Sequence, residues 1–243
     1  SPIARYRDVL AAQTGLAPSA MAPAYYTALA LRQGEQRETQ RRAVTTPAAW
    51  QEERARLRRD YLDALGPFPP AQVEVIYRGV IERPGVRIHK LLYASHRDNW
   101  VPANLYLPRH AAAPVPAIVL PCGHTHVGKI GYADRALLLA RNGYAAITFD
   151  WPGMGERQLT PHAPYAASTY HNLIGDRLPL AGCTLGWFMV QETMAAVTVL
   201  QGRPEIDPER IGITGSSGGG WLTVHAAALD ERLKAAVPAA AVS

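Results

Sequence analysis

"RIGITGSSGGGWLTVHAAALDERL", Arg210 to Leu233, joins a short apolar run to a helical pattern through two serines and a block of glycines. Within it "GSSGG", Gly215 to Gly219, matches G-x-S-x-G with Ser217 at the centre, a strand before it and a helix after it. The residue types fit the chemistry of a nucleophile lifted onto a sharp strand-to-helix turn. Small residues two before and two after let strand and helix cross closely, and the helix start offers free N–H groups and a positive dipole end to a developing oxyanion. Ser217 is therefore the candidate nucleophile and the N–H of Gly218 a candidate oxyanion donor. Ser216 lies one position early and points elsewhere. The plainer alternative is a glycine-rich turn that only joins strand to helix.

Outward from this stretch the pattern alternates. "PAIVLPCGH" (116–124), "YAAITF" (144–149) and "RIGITG" (210–215) are short apolar runs of the kind that form buried parallel strands, and "KAAVPAAAVS" (234–243) begins a fourth. Between them "YADRALLLARNG" (132–143), "LGWFMVQETMAAVTVLQG" (185–202) and the run after Ser217 read as helices. This βαβ alternation predicts an α/β fold with a mostly parallel sheet covered on both faces, its sites at the carboxyl ends of the strands. Upstream, "QVEVIYRGVIE" (72–82) and "VRIHKLLYAS" (86–95), broken at "RPG", predict an antiparallel pair, and "VPANLYLP" (101–108) continues in extended form. Residues 1–70 read as a separate helical extension, and 71–243 as the front part of the sheet domain. The clearest helix starts at Thr46 (N-cap) and Pro47, carries Trp50, Leu57, Tyr61 and Leu65 on one stripe, and stops at Gly66-Pro67. It is expected to brace the main domain.

The chain has 243 residues, 48% hydrophobic and 19% charged, enough to bury a large core. Its +5 charge is concentrated in "RQGEQRETQRR" (32–42) and "EERARLRRD" (52–60), where acids are interleaved, so it reads as solvated helix faces and not as a nucleic-acid surface. Two cysteines, Cys122 and Cys183, imply no disulfide framework. No apolar run reaches the ~18 residues of a membrane span. The first residue is Ser1, so the chain reads as processed or partial.

Three readings compete for "PCGHTHVGKI" (121–130). As the loop after the strand that precedes the first sheet helix, it occupies the place of a second oxyanion donor, with the N–H of His124 as the candidate. As G-x-x-x-x-G-K it resembles a P-loop, but Ile130 stands where a hydroxyl must hold Mg²⁺. As a metal site it offers Cys122, His124 and His126, with no carboxylate nearby. The first is preferred, and no metal or organic cofactor is required. In "FDWPGMGER" (149–157), Asp150 reads as a loop cap, and Trp151 is a weak candidate for a sugar platform in the substrate pocket. His225 lies two turns beyond Ser217, about 12 Å along the helix at ~1.5 Å per residue, and reads as a packing residue. His89, His96, His110, His162 and His171 read as surface or loop residues.

The run from Leu185 to Ser243, with "WVPANLYLP" (100–108), "FDWPGMGER" (149–157) and "WQEERARLRRDYLDALGPFP" (50–69), resembles the acetylxylan-esterase-like branch of the α/β-hydrolases, which is related to dienelactone hydrolases and prolyl-oligopeptidase catalytic domains. The resemblance covers the chain from about Trp50 onward. It implies an esterase using serine, acid and histidine through an acyl-enzyme, with an acetylated sugar or other small ester as substrate. The chain carries Ser217 where dienelactone hydrolases carry Cys, and Cys122 where the usual oxyanion loop has His. In this fold acid and histidine follow the serine, yet after Ser217 come only Asp230, Glu231 and His225. The fold is accordingly expected to be truncated after the strand that follows the nucleophile helix, with a complementary C-terminal segment or chain supplying acid and His. A serine peptidase or amidase, or a non-catalytic interaction module, are the alternatives.

Overall fold

The computed structural model describes residues 17–68, 73–111, 114–158, 171 and 173–241. The chain forms two compact units, Ser1–Arg59 and Asp60–Ser243, which part inside a helix.

The described residues of the first unit are helical. Helix α1 (Pro18–Ala43) carries Arg41 and Arg42 against Glu38 on its surface. Helix α2 (Pro47–Leu65) starts as expected: Thr46 Oγ1 accepts from the Ala49 N–H at 3.1 Å. The apolar stripe buries only its end. Trp50 is 51% exposed and Leu57 37% exposed, whereas Tyr61 and Leu65, past the unit boundary, pack on the core of the second unit.

That second unit is built on a seven-stranded sheet in the order β1-β2-β3-β5-β4-β6-β7. Strands β1 (Val75–Arg83), β2 (Val86–His96) and β3 (Asn99–Pro108) form an antiparallel meander that joins β5 (Ala145–Phe149) edge to edge, again antiparallel. Strands β5, β4 (Val115–Val119), β6 (Ile206–Ser216) and β7 (Leu233–Ala239) run parallel. Their connections are α3 (Ala133–Arg141), α4 (Leu185–Gln201) and α5 (Gly218–Leu229). Burial is deepest in the middle of the sheet: all five residues of β5 are buried and Val119, Ile147 and Phe149 are fully inaccessible, whereas β7, the last strand of the sheet, is exposed along most of its length. Strand β6 begins four residues earlier than its apolar run suggested, because Ile206 already pairs with Val115 and the polar Asp207–Arg210 stretch is carried as an irregularity. Among the described residues no single helix is long and apolar enough to cross a membrane.

The chain leaves β4 toward β5 on one side and returns to β6 on the other, so the strand order reverses at β4. Such a reversal opens a crevice at the carboxyl ends of the strands. Two loops line it, one after β4 and one after β5, and a buried charge pair clamps them. Asp150, fully buried, accepts from the Lys129 N–H (2.6 Å), the Lys129 ammonium (2.5 Å) and the Glu156 N–H (3.1 Å). Glu156 also pairs with the ammonium. The P-loop-like lysine is thus committed to two carboxylates. Asp150 does cap its own loop, and it holds the neighbouring loop as well. A second buried network lies behind: Arg157 donates to Glu192 (2.8 Å) and Asn99 (2.7 Å), and Asn99 donates to Glu192 (2.8 Å). Burial raises the Glu192 carboxyl pKa, against the Arg157 charge that lowers it.

Removing one partner of a buried ion pair strands the other charge away from water. Asp150→Ala is expected to destabilise the chain by about 3–5 kcal/mol in urea unfolding. A loss below about 1 kcal/mol would show that water or Glu156 replaces the carboxylate.

Candidate functional site

The geometry at the end of β6 follows from two glycines. A methyl group on Gly215 would lie 2.5 Å from the Gly219 carbonyl oxygen, and one on Gly219 would overlap the Pro121 carbonyl. Strand, helix and the β4 loop therefore meet backbone to backbone. Between the glycines Ser217 has φ 57° and ψ −121°, a conformation that costs a non-glycine residue about 1–3 kcal/mol and persists only where its surroundings impose it. The impositions are visible. Its N–H donates to the Ala239 carbonyl at the end of β7 (2.9 Å), and its carbonyl accepts from the Trp221 N–H (2.9 Å). The Ser217 side chain is exposed, while Ser216 is half-buried. With the Ser217 N–H already committed, the N–H groups without an intrahelical partner at this point are those of the first turn of α5, starting at Gly218, at the positive end of the helix dipole.

The β4 loop brings His124 to the same point. Its Nδ1 is 3.4 Å from Ser217 Oγ, and its Nε2 is 3.4 Å from His171 Nδ1. Both imidazoles rest on Trp151, with ring centroids 5.4 Å (His124) and 4.7 Å (His171) away. Packing against these rings desolvates His124 and lowers its pKa, although its outer edge is open to solvent. His171 is pushed down to about 4, first by burial and then by the neighbouring His124. Its Nε2 is buried with no hydrogen-bond partner among the described residues. His171, read from sequence as a loop residue, is thus the member of the site that sequence reasoning missed. It sits in a segment with no periodic signal, and nothing local marks it.

Trp151 corrects the sequence reading. The indole is fully buried and its Nε1 donates to the Cys122 carbonyl at 2.8 Å, tying the loop after β5 to the loop after β4. A sugar platform needs an open ring face, and this ring has none; it is the floor under the two histidines. Cys122 is buried, donates to the Phe149 carbonyl (3.4 Å), and burial pushes its thiol up to about 12. With that thiol turned inward and His126 on the exposed turn, Cys122, His124 and His126 do not assemble as metal ligands, and no group of three or more His, Cys, Asp or Glu converges among the described residues. His225 lies tilted against Trp221 (3.9 Å between centroids, 50° between the rings) and meets the Tyr61 hydroxyl through Nδ1 (2.5 Å), a packing role as expected. Asp230, at the far end of α5, is paired with Arg232 (2.6 Å). His162 lies outside the described residues.

Beside Ser217 a cleft of about 420 Å³ opens. Its lining combines His124 and His171 with the apolar side chains of Leu185, Met189, Trp221 and Ala241. An exposed hydroxyl on a strained turn, unpaired helix N–H groups and an apolar cleft together suit attack on a carbonyl carbon and stabilisation of the resulting oxyanion.

Comparison with known proteins agrees with this architecture. The family model for acetyl xylan esterase matches residues 72–241. YtaP of Bacillus subtilis (strain 168), designated a hydrolase, is 26% identical over 201 residues, which span 76% of this chain and 63% of YtaP. A Bacteroides fragilis structure designated an acetyl xylan esterase superposes with a TM-score of 0.68 at 18% identity, covering 78% of this chain and 53% of the other. The acetyl xylan esterase from Paenibacillus sp. R4 gives a TM-score of 0.56 at 24% identity, covering 74% and 56%. The chain thus spans little more than half the length of these solved structures, and their likeness speaks to the fold. A mixed seven-stranded sheet whose β5, β4, β6 and β7 run parallel, a serine elbow after β6 and a family match across both place the chain in the acetyl xylan esterase family of the α/β-hydrolases.

Proposed function

We propose that this chain carries the nucleophile and oxyanion elements of a serine carboxylester hydrolase that works through an acyl-enzyme on a small or carbohydrate-linked ester. The observation that carries the reading is the backbone of Ser217, held at φ 57° at the tip of β6 with its side chain exposed beside the start of α5. Ser217 Oγ attacks the ester carbonyl carbon. The carbonyl oxygen becomes an oxyanion and is met by the Gly218 N–H, with the His124 N–H as the second donor. Collapse expels the alcohol and leaves an acyl-serine; water then attacks the same carbon and releases the acid.

The hydroxyl must lose its proton as it attacks. Among the described residues the imidazole that reaches Oγ is His124, at 3.4 Å, and no carboxylate is hydrogen-bonded to that ring. We assign the acid and the relay histidine to a complementary segment or chain, with the His124 ring, backed by His171, completing the wall of the site. The missing carboxylate is also what favours the second reading, an α/β-hydrolase-fold interaction module without turnover. A serine amidase or peptidase differs from the first reading only in the leaving group.

A fluorophosphonate probe separates these readings. Labelling at Ser217 that disappears in Ser217→Ala, with loss of p-nitrophenyl ester turnover by about 10³-fold or more, is the expected result. Failure to label the assembled protein would support the interaction module, and a peptide panel turned over faster than esters would support the peptidase.

The neutral state of the two histidines has a signature in stability. Unfolded, a histidine takes up a proton near pH 6.5; folded, His171 does so only near 4. Between those values the unfolded state binds more protons, so stability is present above pH 6.5 and is lost as pH falls toward 4. The urea midpoint of the wild type should therefore drop more between pH 7 and 4.5 than that of His171→Phe. Equal drops would show that His171 titrates normally in the folded protein.

A further inference from the structure

Three polar side chains form a line through the site. Ser217 Oγ is 3.4 Å from His124 Nδ1, and His124 Nε2 is 3.4 Å from His171 Nδ1. The line ends inside the protein: His171 Nε2 is buried and meets no hydrogen-bond partner among the described residues. Burial lowers the pKa of both imidazoles, and the neighbouring His124 lowers that of His171 further, so both rings are neutral. A neutral imidazole carries one N–H, so placing one hydrogen fixes every other along the line.

Two arrangements satisfy the contacts. In the first, Ser217 donates its hydroxyl hydrogen to His124 Nδ1 and His124 donates from Nε2 to His171. The His171 hydrogen is then left on Nε2, a buried N–H with no acceptor. In the second, His171 donates from Nδ1 to His124 Nε2 and His124 donates from Nδ1 to Ser217 Oγ. Only a lone pair is then left over at His171 Nε2. Orphaned buried N–H groups are rarer in folded proteins than under-used acceptors, which selects the second arrangement. The hydroxyl selects it too. Ser217 Oγ has one hydrogen, and the relay histidine assigned above to a complementary segment has to accept it.

Gly218 shows where the donor is aimed. A methyl group there would lie 2.8 Å from both Nδ1 and Cε1 of His124. The Nδ1 edge therefore fills the space that a side chain at position 218 would take, beside the residue whose N–H opens α5. Ser217 Oγ, His124 Nδ1 and the helix start share one corner.

We propose that His171 holds His124 as its Nδ1–H tautomer, which makes the His124 ring a hydrogen-bond donor to Ser217 Oγ in the free site and to the oxyanion that forms beside it. The inference rests on the esterase reading of Ser217 and deepens it. His124 adds a side-chain donor to the backbone donors of the site, and His171 is a positioning residue that acts through it. No proton leaves His124. The Oγ proton passes to the relay histidine, and the Nδ1–H stays in place to meet the oxygen that gains charge.

The tautomer is read on the full chain, by long-range proton–nitrogen correlation spectra of protein labelled at its histidine nitrogens. Such spectra distinguish a ring nitrogen that bears hydrogen from one that does not, and the spectra of His124→Asn and His171→Phe identify the two rings. His124 is expected to carry its hydrogen on Nδ1, and to move toward the Nε2–H form in His171→Phe. A wild-type His124 with its hydrogen on Nε2, or one unchanged in His171→Phe, overturns the proposal. Turnover of p-nitrophenyl acetate is read in parallel. His124→Leu is expected to lower kcat by about 100-fold or more, with KM changed by less than about threefold. His124→Asn, whose amide donates from near the Nδ1 position but takes up no proton, is expected to recover to within about tenfold of the wild type. Equal losses in the two variants overturn the donor role. An Nδ1–H on His124 in a protein that neither turns over ester nor labels at Ser217 upholds the tautomer and overturns the esterase reading instead.

Discussion

The crossing of β6 and α5 is the constraint on which the site depends. At Gly215 and Gly219 the two elements approach so closely that a single added carbon at either position would strike backbone. The turn between them has no relaxed alternative, and Ser217 takes a backbone conformation that its own side chain disfavours. The strain is held by hydrogen bonds on both sides of the residue, from β7 and from the first turn of α5. One of them matters for the chemistry as well as for the fold. With the Ser217 N–H spent on Ala239, the next amide, that of Gly218, is left at the helix start where anions are favoured.

The other half of the crevice is held by polar interactions that are buried and therefore demanding. Asp150 serves two loops at once through three donors, and Trp151, next in the chain, ties the same loops through the Cys122 carbonyl. His124 reaches Ser217 Oγ from a loop that is pinned at Cys122 and at Lys129, a few residues either side of it. A loop carrying a reactive-site residue is ordinarily mobile; here two clamps limit its freedom. The Arg157–Glu192–Asn99 network extends this support to α4 and the antiparallel meander. The apolar lining of the cleft is held differently. Leu185, Met189 and Trp221 come from helices, so the shape of that wall is set by side-chain packing.

The strands, the three sheet helices and the elbow were legible because each is written in a local pattern: apolar runs, helical periodicity, and glycines at fixed offsets from one serine. Where reading failed, the cause was distance in the chain. Trp151 looked like a platform because a tryptophan in a strand-end loop is often open, and only its position beneath His124 and His171 shows that it is a floor. His171 stands 46 positions from Ser217 in a segment without periodicity, and no spacing rule links it to His124. The stripe on α2 was correctly drawn, yet Trp50 and Leu57 stay exposed, since periodicity marks a face without saying how much of it finds a partner.

The sequence by itself determined the fold class, the order of elements and the residue at the tip of the elbow, because these depend on backbone sterics and on hydrophobic period, which act over a few residues. Only the tertiary structure decided that His124 meets Ser217 with His171 behind it, that Lys129 is spent on Asp150 and Glu156, that Trp151 is sealed, and that Trp221 joins the lining of the cleft. These depend on groups far apart in the chain meeting at a few ångströms in a low-dielectric interior, where an unpartnered charge or polar atom is costly and the partner is chosen by geometry.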